Sequence, residues 1–240
     1  MKNSSYLSPN FSKKRKNNKK IVYVIIHYTG MQSEIESLNR LRNKKAKVSC
    51  HYLINRKGKI IQMVSDKNIA WHAGKSKWKN HKNLNKNSIG IELVNKGHQF
   101  GYERFTNLQI KKLISICNKL KKKYKISPEN FLGHSDIAPL RKIDPGEYFP
   151  WKKLSKFKIG KWYDNNSKFD IALKNRVNKY NLFFKNLNKI GYRYFKLNKK
   201  SRSDRLIIKA FQRRYLPDKA TGKIDFKTLK ISHFLAKNIK

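Results

Sequence analysis

The stretch IVYVIIHYTG, residues 21–30, decides the fold. Six apolar residues run without interruption before His27, and Gly30 closes the segment. A continuous apolar run of this length reads as a strand buried on both faces, as strands inside a parallel sheet are, and it delivers His27 to its C-terminal end. Downstream, Ser33 in SEIESLNRL stands as an N-cap with Glu36 three residues on, and Ile35, Leu38 and Leu41 recur at helical spacing. HYLINRKGKIIQMV, residues 51–64, reads as strand, Lys57-Gly58 turn, strand. SIGIELVN, residues 88–95, is a further short apolar strand interrupted only by Glu92. Thr106 with Gln109 opens a long helix with Leu113, Cys117, Leu120 and Tyr124 on one face, and Ser127-Pro128 ends it. This alternation predicts an α/β layered domain over residues 21–160.

Outward from that domain, residues 1–20 form a basic N-terminal arm, and residues 161–179 are polar and patternless, which reads as a linker. Residues 180–240 give three short helical patterns, YNLFFKNLNKIGY, RLIIKAFQRRYL and DFKTLKISHFLA, expected to form a small three-helix bundle. With 58 Lys and Arg against 14 Asp and Glu, the formal net charge is +44, which attracts any polyanion: nucleic acid, an anionic membrane surface or an acidic wall polymer. Lys, Asn and Ile are over-used everywhere rather than along one stripe, so the charge also reads as a compositional bias of the whole chain. Cys50 and Cys117 lie in apolar segments and read as small core residues kept reduced. The first twenty residues contain no apolar run of signal-peptide length, and no later segment is long enough to span a bilayer. A cytoplasmic protein is therefore expected, or a periplasmic or outer-membrane-associated one if the true start lies upstream.

The chemistry concentrates in GHSDIAPLRKIDPG, residues 133–146. His134 and Asp144 on this loop, with His27, supply two imidazoles and a carboxylate, the donor set that leaves a fourth position open on a catalytic zinc. No HExxH helix and no CxxC pair competes for the metal. Lys142 precedes Asp144 by two residues, so in an extended segment both side chains point to one side. Glu92 is costly to bury in its apolar strand unless it is paired, hydrogen-bonded or protonated. A salt bridge to a lysine is one explanation; a general base beside an activated water is the other. His81, His98 and His233 sit in polar surroundings that suggest no role.

IIHYTG, VSCHYLINRKGKIIQMV, AWHAG, SIGIELVN and GHSDIAPLRKIDPG, in this order, resemble the zinc-dependent N-acetylmuramoyl-L-alanine amidases of the AmpD/AmiD type, fold relatives of phage amidases and peptidoglycan recognition proteins. The resemblance covers about residues 20 to 155. It implies a mixed sheet flanked by helices, one Zn2+ on His27, His134 and Asp144, and Glu92 with Lys142 as the catalytic pair. It further implies hydrolysis of the amide between N-acetylmuramic acid and L-alanine in peptidoglycan or muropeptides, by a monomer with no specific nucleic-acid partner. Some relatives place a Tyr before the His of the HYLI segment; here that position is Cys50, which returns the acid/base role to Glu92. Trp71 and His72 of AWHAG are expected beside the groove as substrate contacts. KAFQRRYLPDKATGKIDFKTLK is similar to the small helical peptidoglycan-binding domain. No metal ligand or catalytic candidate lies there, so its loss is expected to reduce wall binding more than turnover of a soluble muropeptide. A non-catalytic recognition module and a basic nucleic-acid binder are the alternatives; the first would be expected to lack one of the five site residues, and the second lacks any accompanying motif.

Overall fold

The computed structural model describes residues 6–13, 20–163 and 178–238. Its chain runs through β1 (Phe11–Ser12), β2 (Tyr23–Tyr28), α1 (Glu34–Arg42), β3 (Tyr52–Ile54), β4 (Ile60–Gln62), β5 (Ile69–Ala70), β6 (Lys77–Trp78), β7 (His81–Lys82) and β8 (Ser88–Leu93). It continues through α2 (Asn107–Tyr124), β9 (Phe131–Gly133), α3 (His134–Ile137), α4 (Trp151–Ser155), α5 (Lys179–Ile190), α6 (Asp204–Tyr215) and α7 (Phe226–Lys237). The apolar run read first is the second strand from one edge of a five-stranded sheet with order β4-β3-β8-β2-β9. β2 is parallel to β8 and to β9, β3 is parallel to β8, and the β3/β4 hairpin supplies the antiparallel edge.

Both faces of β2 are covered, which is why it carries no polar alternation. Val24 and Ile26 join Ile89 and Ile91 against Leu113, Cys117 and Leu120 of α2. Thr106 and Gln109 close a reciprocal capping box at the start of that helix. The helix stops at Lys125 in the left-handed region (φ 52°), ahead of the Ser127-Pro128 stop read from the sequence. In α1 the Ser33 hydroxyl accepts from the Glu36 N–H as expected, but Ile35 is 70% exposed and the buried positions are Ser37 and Leu41. Ser37 can turn inward because its hydroxyl donates to the Ser33 carbonyl at 2.8 Å.

The described part of the N-terminal arm is not free. Ser8 and Asn10 are buried, the Asn10 amide donates to the carbonyls of Asn43 and Val48 at 2.9 Å, and β1 pairs with β5. The first unit therefore takes in residues 6–13. The linker of residues 161–179 falls mostly outside the described residues.

The three C-terminal helices use their motif residues to hold one another. Phe211 is fully buried. The Gln212 amide donates to the Lys223 carbonyl at 2.8 Å and to the Thr228 hydroxyl at 3.1 Å, and its oxygen accepts from the Gly222 N–H at 2.8 Å. Asp225 caps α7 through the Thr228 N–H at 2.7 Å. These helices also share one core with the sheet: Tyr23, Ile25, Trp78, Leu132 and Ile137 pack in the same cluster as Phe183, Phe184, Leu187 and Phe211. That continuity revises the expectation for a truncated chain. A protein ending at residue 177 is expected to expose this apolar face and to aggregate on expression. A fragment that stays monomeric in size-exclusion chromatography and unfolds cooperatively would show that the sheet is stable without its helices.

Candidate metal centre

Ile26 of β2 lies opposite Gly133 of β9, so the next residues of the two parallel strands, His27 and His134, emerge side by side at the carboxyl end of the sheet. In open α/β sheets this end is where sites form. Asp144 arrives from the following loop, pinned by the Ser135 N–H donating to its carbonyl at 2.8 Å. A Cβ on Gly133 would lie 2.7 Å from Pro145 Cδ, so the loop reaches this position only because residue 133 is glycine. The His27 Nδ1 lies 3.0 Å from His134 Nδ1 and 3.0 Å from Asp144 Oδ2, and His134 Nδ1 lies 3.1 Å from the same carboxylate oxygen. A tetrahedral ion with bonds of about 2.0 Å separates its donor atoms by about 3.3 Å, close to this triangle.

The hydrogen-bond network fixes where the protons are. Ser88 donates its hydroxyl hydrogen to the Leu84 carbonyl at 2.6 Å, so its oxygen accepts from His72 Nε2 at 3.1 Å. His72 Nδ1 is then the acceptor for His27 Nε2–H at 3.0 Å, and His27 turns a bare Nδ1 to the centre. His134 Nε2 lies 3.2 Å from the Ala73 carbonyl and 3.3 Å from Arg141 Nη2. Arg141 Nη2 already donates to the carbonyls of Ala73 and Lys75, so His134 donates to Ala73 and also turns a bare Nδ1 inward. Burial, reinforced by His134, pulls the pKa of His27 down to about 4. Against the upward push of burial, the adjoining imidazoles, His134 foremost, hold the Asp144 carboxyl well below the usual carboxylate range. Ring nitrogens turned inward with their lone pairs, beside an ionised carboxylate, are the arrangement in which such a set binds a divalent cation.

Glu92 is the register partner of His27 on β8, which puts the two side chains on one face of the sheet. It is 8% exposed, and its Oε2 finds no hydrogen-bond partner among the described residues. Burial pushes its pKa well above the carboxylate range; Asp144 adds to the shift and Lys142 opposes it. Lys142, partly buried, thus faces both Glu92 and His27 electrostatically. Cys50 is buried beside Glu92, and burial and that carboxylate keep it a thiol. The structure therefore brings His27, His134, Asp144, Glu92 and Lys142 to one place.

Trp71 and His72 both make contacts within the protein. His72 is 5% exposed and supports His27 through the sheet face, with both ring nitrogens engaged inside the protein. Trp71 turns toward β1, its indole N–H donating to the Ser12 hydroxyl at 3.0 Å. The sequence carried one signal for the role of His72: a glycine inside an apolar strand marks a close approach. A Cβ on Gly90 would stand 2.4 Å from His72 Cγ. Gly90→Ala is accordingly expected to displace His72, release His27 Nε2 and weaken metal binding about 10- to 100-fold, the usual cost of losing a support of a metal-bound histidine. Chelator competition on the folded variant checks this.

Two histidines and a carboxylate that could hold a metal ion, at the carboxyl end of a mixed sheet with a buried glutamate alongside, fit a hydrolase site. The chain belongs to the N-acetylmuramoyl-L-alanine amidase family, whose model matches residues 17–147. It is 36% identical over 231 residues to N-acetylmuramoyl-L-alanine amidase AmiD of Escherichia coli K12, covering 90% of this chain and 82% of that protein. It is 36% identical over 164 residues to the 1,6-anhydro-N-acetylmuramyl-L-alanine amidase AmpD of Haemophilus influenzae, covering 61% of this chain and 86% of the relative. The solved complex of E. coli AmiD with anhydro-N-acetylmuramic acid-L-Ala-D-γ-Glu-L-Lys superposes with TM-score 0.80 at 33% identity, covering 95% of this chain and 97% of that one. AmpDh3 of Pseudomonas aeruginosa superposes with TM-score 0.82 at 28% identity, covering 99% and 97%.

Proposed function

We propose that this amidase holds one zinc ion on His27, His134 and Asp144 and hydrolyses the amide joining the lactyl group of N-acetylmuramic acid to L-alanine in muropeptides. The observation that carries the reading is the convergence of three buried donors beside a buried carboxylate that has an unpaired oxygen. Zinc bound there would polarise the scissile carbonyl and make the attacking water more acidic. Glu92 takes the water's proton as the oxygen adds to the carbonyl carbon. The Lys142 ammonium faces the oxyanion that develops, where a well-placed donor is worth about 3–4 kcal/mol. Glu92 then returns the proton to the alanine nitrogen, the C–N bond breaks, and a lactyl carboxylic acid and a free amine leave.

The complexes of AmiD and AmpDh3 with anhydromuramic peptides support soluble muropeptides as the substrate class. Among the described residues no helix is long and apolar enough to cross a membrane. The net charge of +44 favours capture of these anionic fragments without selecting among them. Incubation of the purified chain with an anhydro-muramoyl peptide is expected to release a peptide with a new N-terminal alanine, detected by mass spectrometry. Chelation should abolish the release and added zinc restore it; turnover that persists in the fully chelated protein would refute the metal role.

A further inference from the structure

The last turn of α6 carries Arg213 and Arg214, and each reaches out of the helical unit to one end of the ligand loop. Arg214 is 4% exposed and lies 3.9 Å over the Trp151 ring. Its Nη1 donates to Asp136 Oδ2, and its Nη2 donates to the Phe131 carbonyl at 3.1 Å. Asp136, 1% exposed, also accepts from the Tyr192 hydroxyl at 2.6 Å and from the Gly133 N–H at 2.8 Å. His134 therefore stands between two residues held by this group, Gly133 before it and Asp136 two places after. Arg213 Nε lies 4.0 Å from Glu147, three places after Asp144. Glu147 in turn pairs with His98 at 3.0 Å, and His98 with the hydroxyl of Tyr28, the neighbour of His27, at 2.9 Å.

We propose that Arg214, acting through Asp136, is a positioning residue of the metal centre, so that the helical unit determines where His134 presents its Nδ1. The proposal rests on the reading of His27, His134 and Asp144 as zinc ligands. A buried ion pair is a poor device for stability alone, because its desolvation offsets much of its attraction and an apolar pair of similar volume packs as well. What the planar, forked guanidinium adds is direction. Here one fork holds the start of β9 at Phe131 and the carboxylate two residues past the ligand at the same time. The segment between His134 and Asp144 contains only the single turn α3, so its course is set by such tethers rather than by a ladder of its own.

The test uses the full chain with Arg214→Lys, which keeps the charge and loses the fork, and with Leu235→Ala, a core truncation in α7 that leaves Arg214 and Asp136 in place. Zinc affinity is measured by chelator competition, folding by circular dichroism, and kcat and KM on a defined muropeptide. Arg214→Lys is expected to weaken zinc binding on the order of tenfold, as loss of an outer support of a metal ligand does, and to lower kcat with KM unchanged. Leu235→Ala should lower the melting temperature and leave zinc affinity at the parental value. Should Arg214→Lys fail to fold, Tyr192→Phe removes only the hydroxyl on Asp136 and must weaken zinc in the same direction. Parental zinc affinity in the folded Arg214 variant, or in the Tyr192 variant that replaces it, overturns the proposal. An equal loss in Leu235→Ala also overturns it by reducing the effect to global stability. A parent chain that binds no zinc overturns the ligand set itself, a different result from a zinc-loaded parent matched by its variants.

Discussion

A chain with His27, His134 and Asp144 all replaced by Ala is expected to purify without zinc and to release no alanine amine from a muropeptide. The three donors sit within 4.8 Å of one another, and all are buried, so no surface group can step in for a lost one. Zinc that binds only the folded parent must also stabilise it by mass action, by about 2.7 kcal/mol at one hundred times its dissociation constant. The variant's melting temperature should therefore be indifferent to added zinc while the parent's rises. Metal analysis of the purified proteins and paired thermal melts check the two halves of this expectation. A triple variant that retains about one zinc per chain would move the site elsewhere.

Glu92→Gln is expected to keep zinc and lose rate. Gln has the volume and shape of Glu but cannot take the water's proton, and proton transfer is worth roughly 100- to 10,000-fold. The loss should fall in kcat, since the interaction belongs to the transition state. Lys142→Ala should behave alike, by about 100- to 1,000-fold. The same Gln substitution should make the metal-free protein more stable at neutral pH. Folding raises the Glu92 pKa, so above the ordinary carboxylate range the unfolded chain gives up this proton more readily than the folded one. The group therefore opposes folding, and more so as pH rises toward its folded value. Each kcal/mol relieved shifts the melting temperature of a domain this size by about 2–4 °C. A folded, zinc-loaded Glu92→Gln enzyme as fast as the parent would sink the mechanism, whatever its melting temperature.

Most of this arrangement was legible where the signal was local. β2 and β8 are continuous apolar runs, and α2 carries its own capping box, so period and punctuation sufficed. His27 and Glu92 stood out because polar groups at the end of, or inside, apolar strands need a reason, and His134 and Asp144 because they share one turn-rich loop. The two-residue strands β1, β5, β6 and β7 are too short to show any period, and the packing of Ser8 and Asn10 depends on carbonyls more than thirty residues away. His72 read as a groove residue because its partner is an absence, the missing side chain of Gly90 on another strand. Asp136 drew no reading from the sequence because its guanidinium comes from 78 positions downstream. His98, whose polar surroundings suggested no role, bridges Tyr28 and Glu147. Contacts made across the fold leave no trace in a window of neighbouring residues.

The single core shared by the sheet and the last three helices also bears on synthesis. Domains ordinarily fold as they emerge, N-terminal first. Here the face of the sheet formed by Tyr23, Ile25 and Leu132 is covered by Phe183, Phe184 and Phe211, which a ribosome delivers only after the whole sheet. The nascent chain thus carries every residue of the active centre long before it can close its own interior. Amidase activity is therefore expected to wait until these helices have been made and have closed over the sheet.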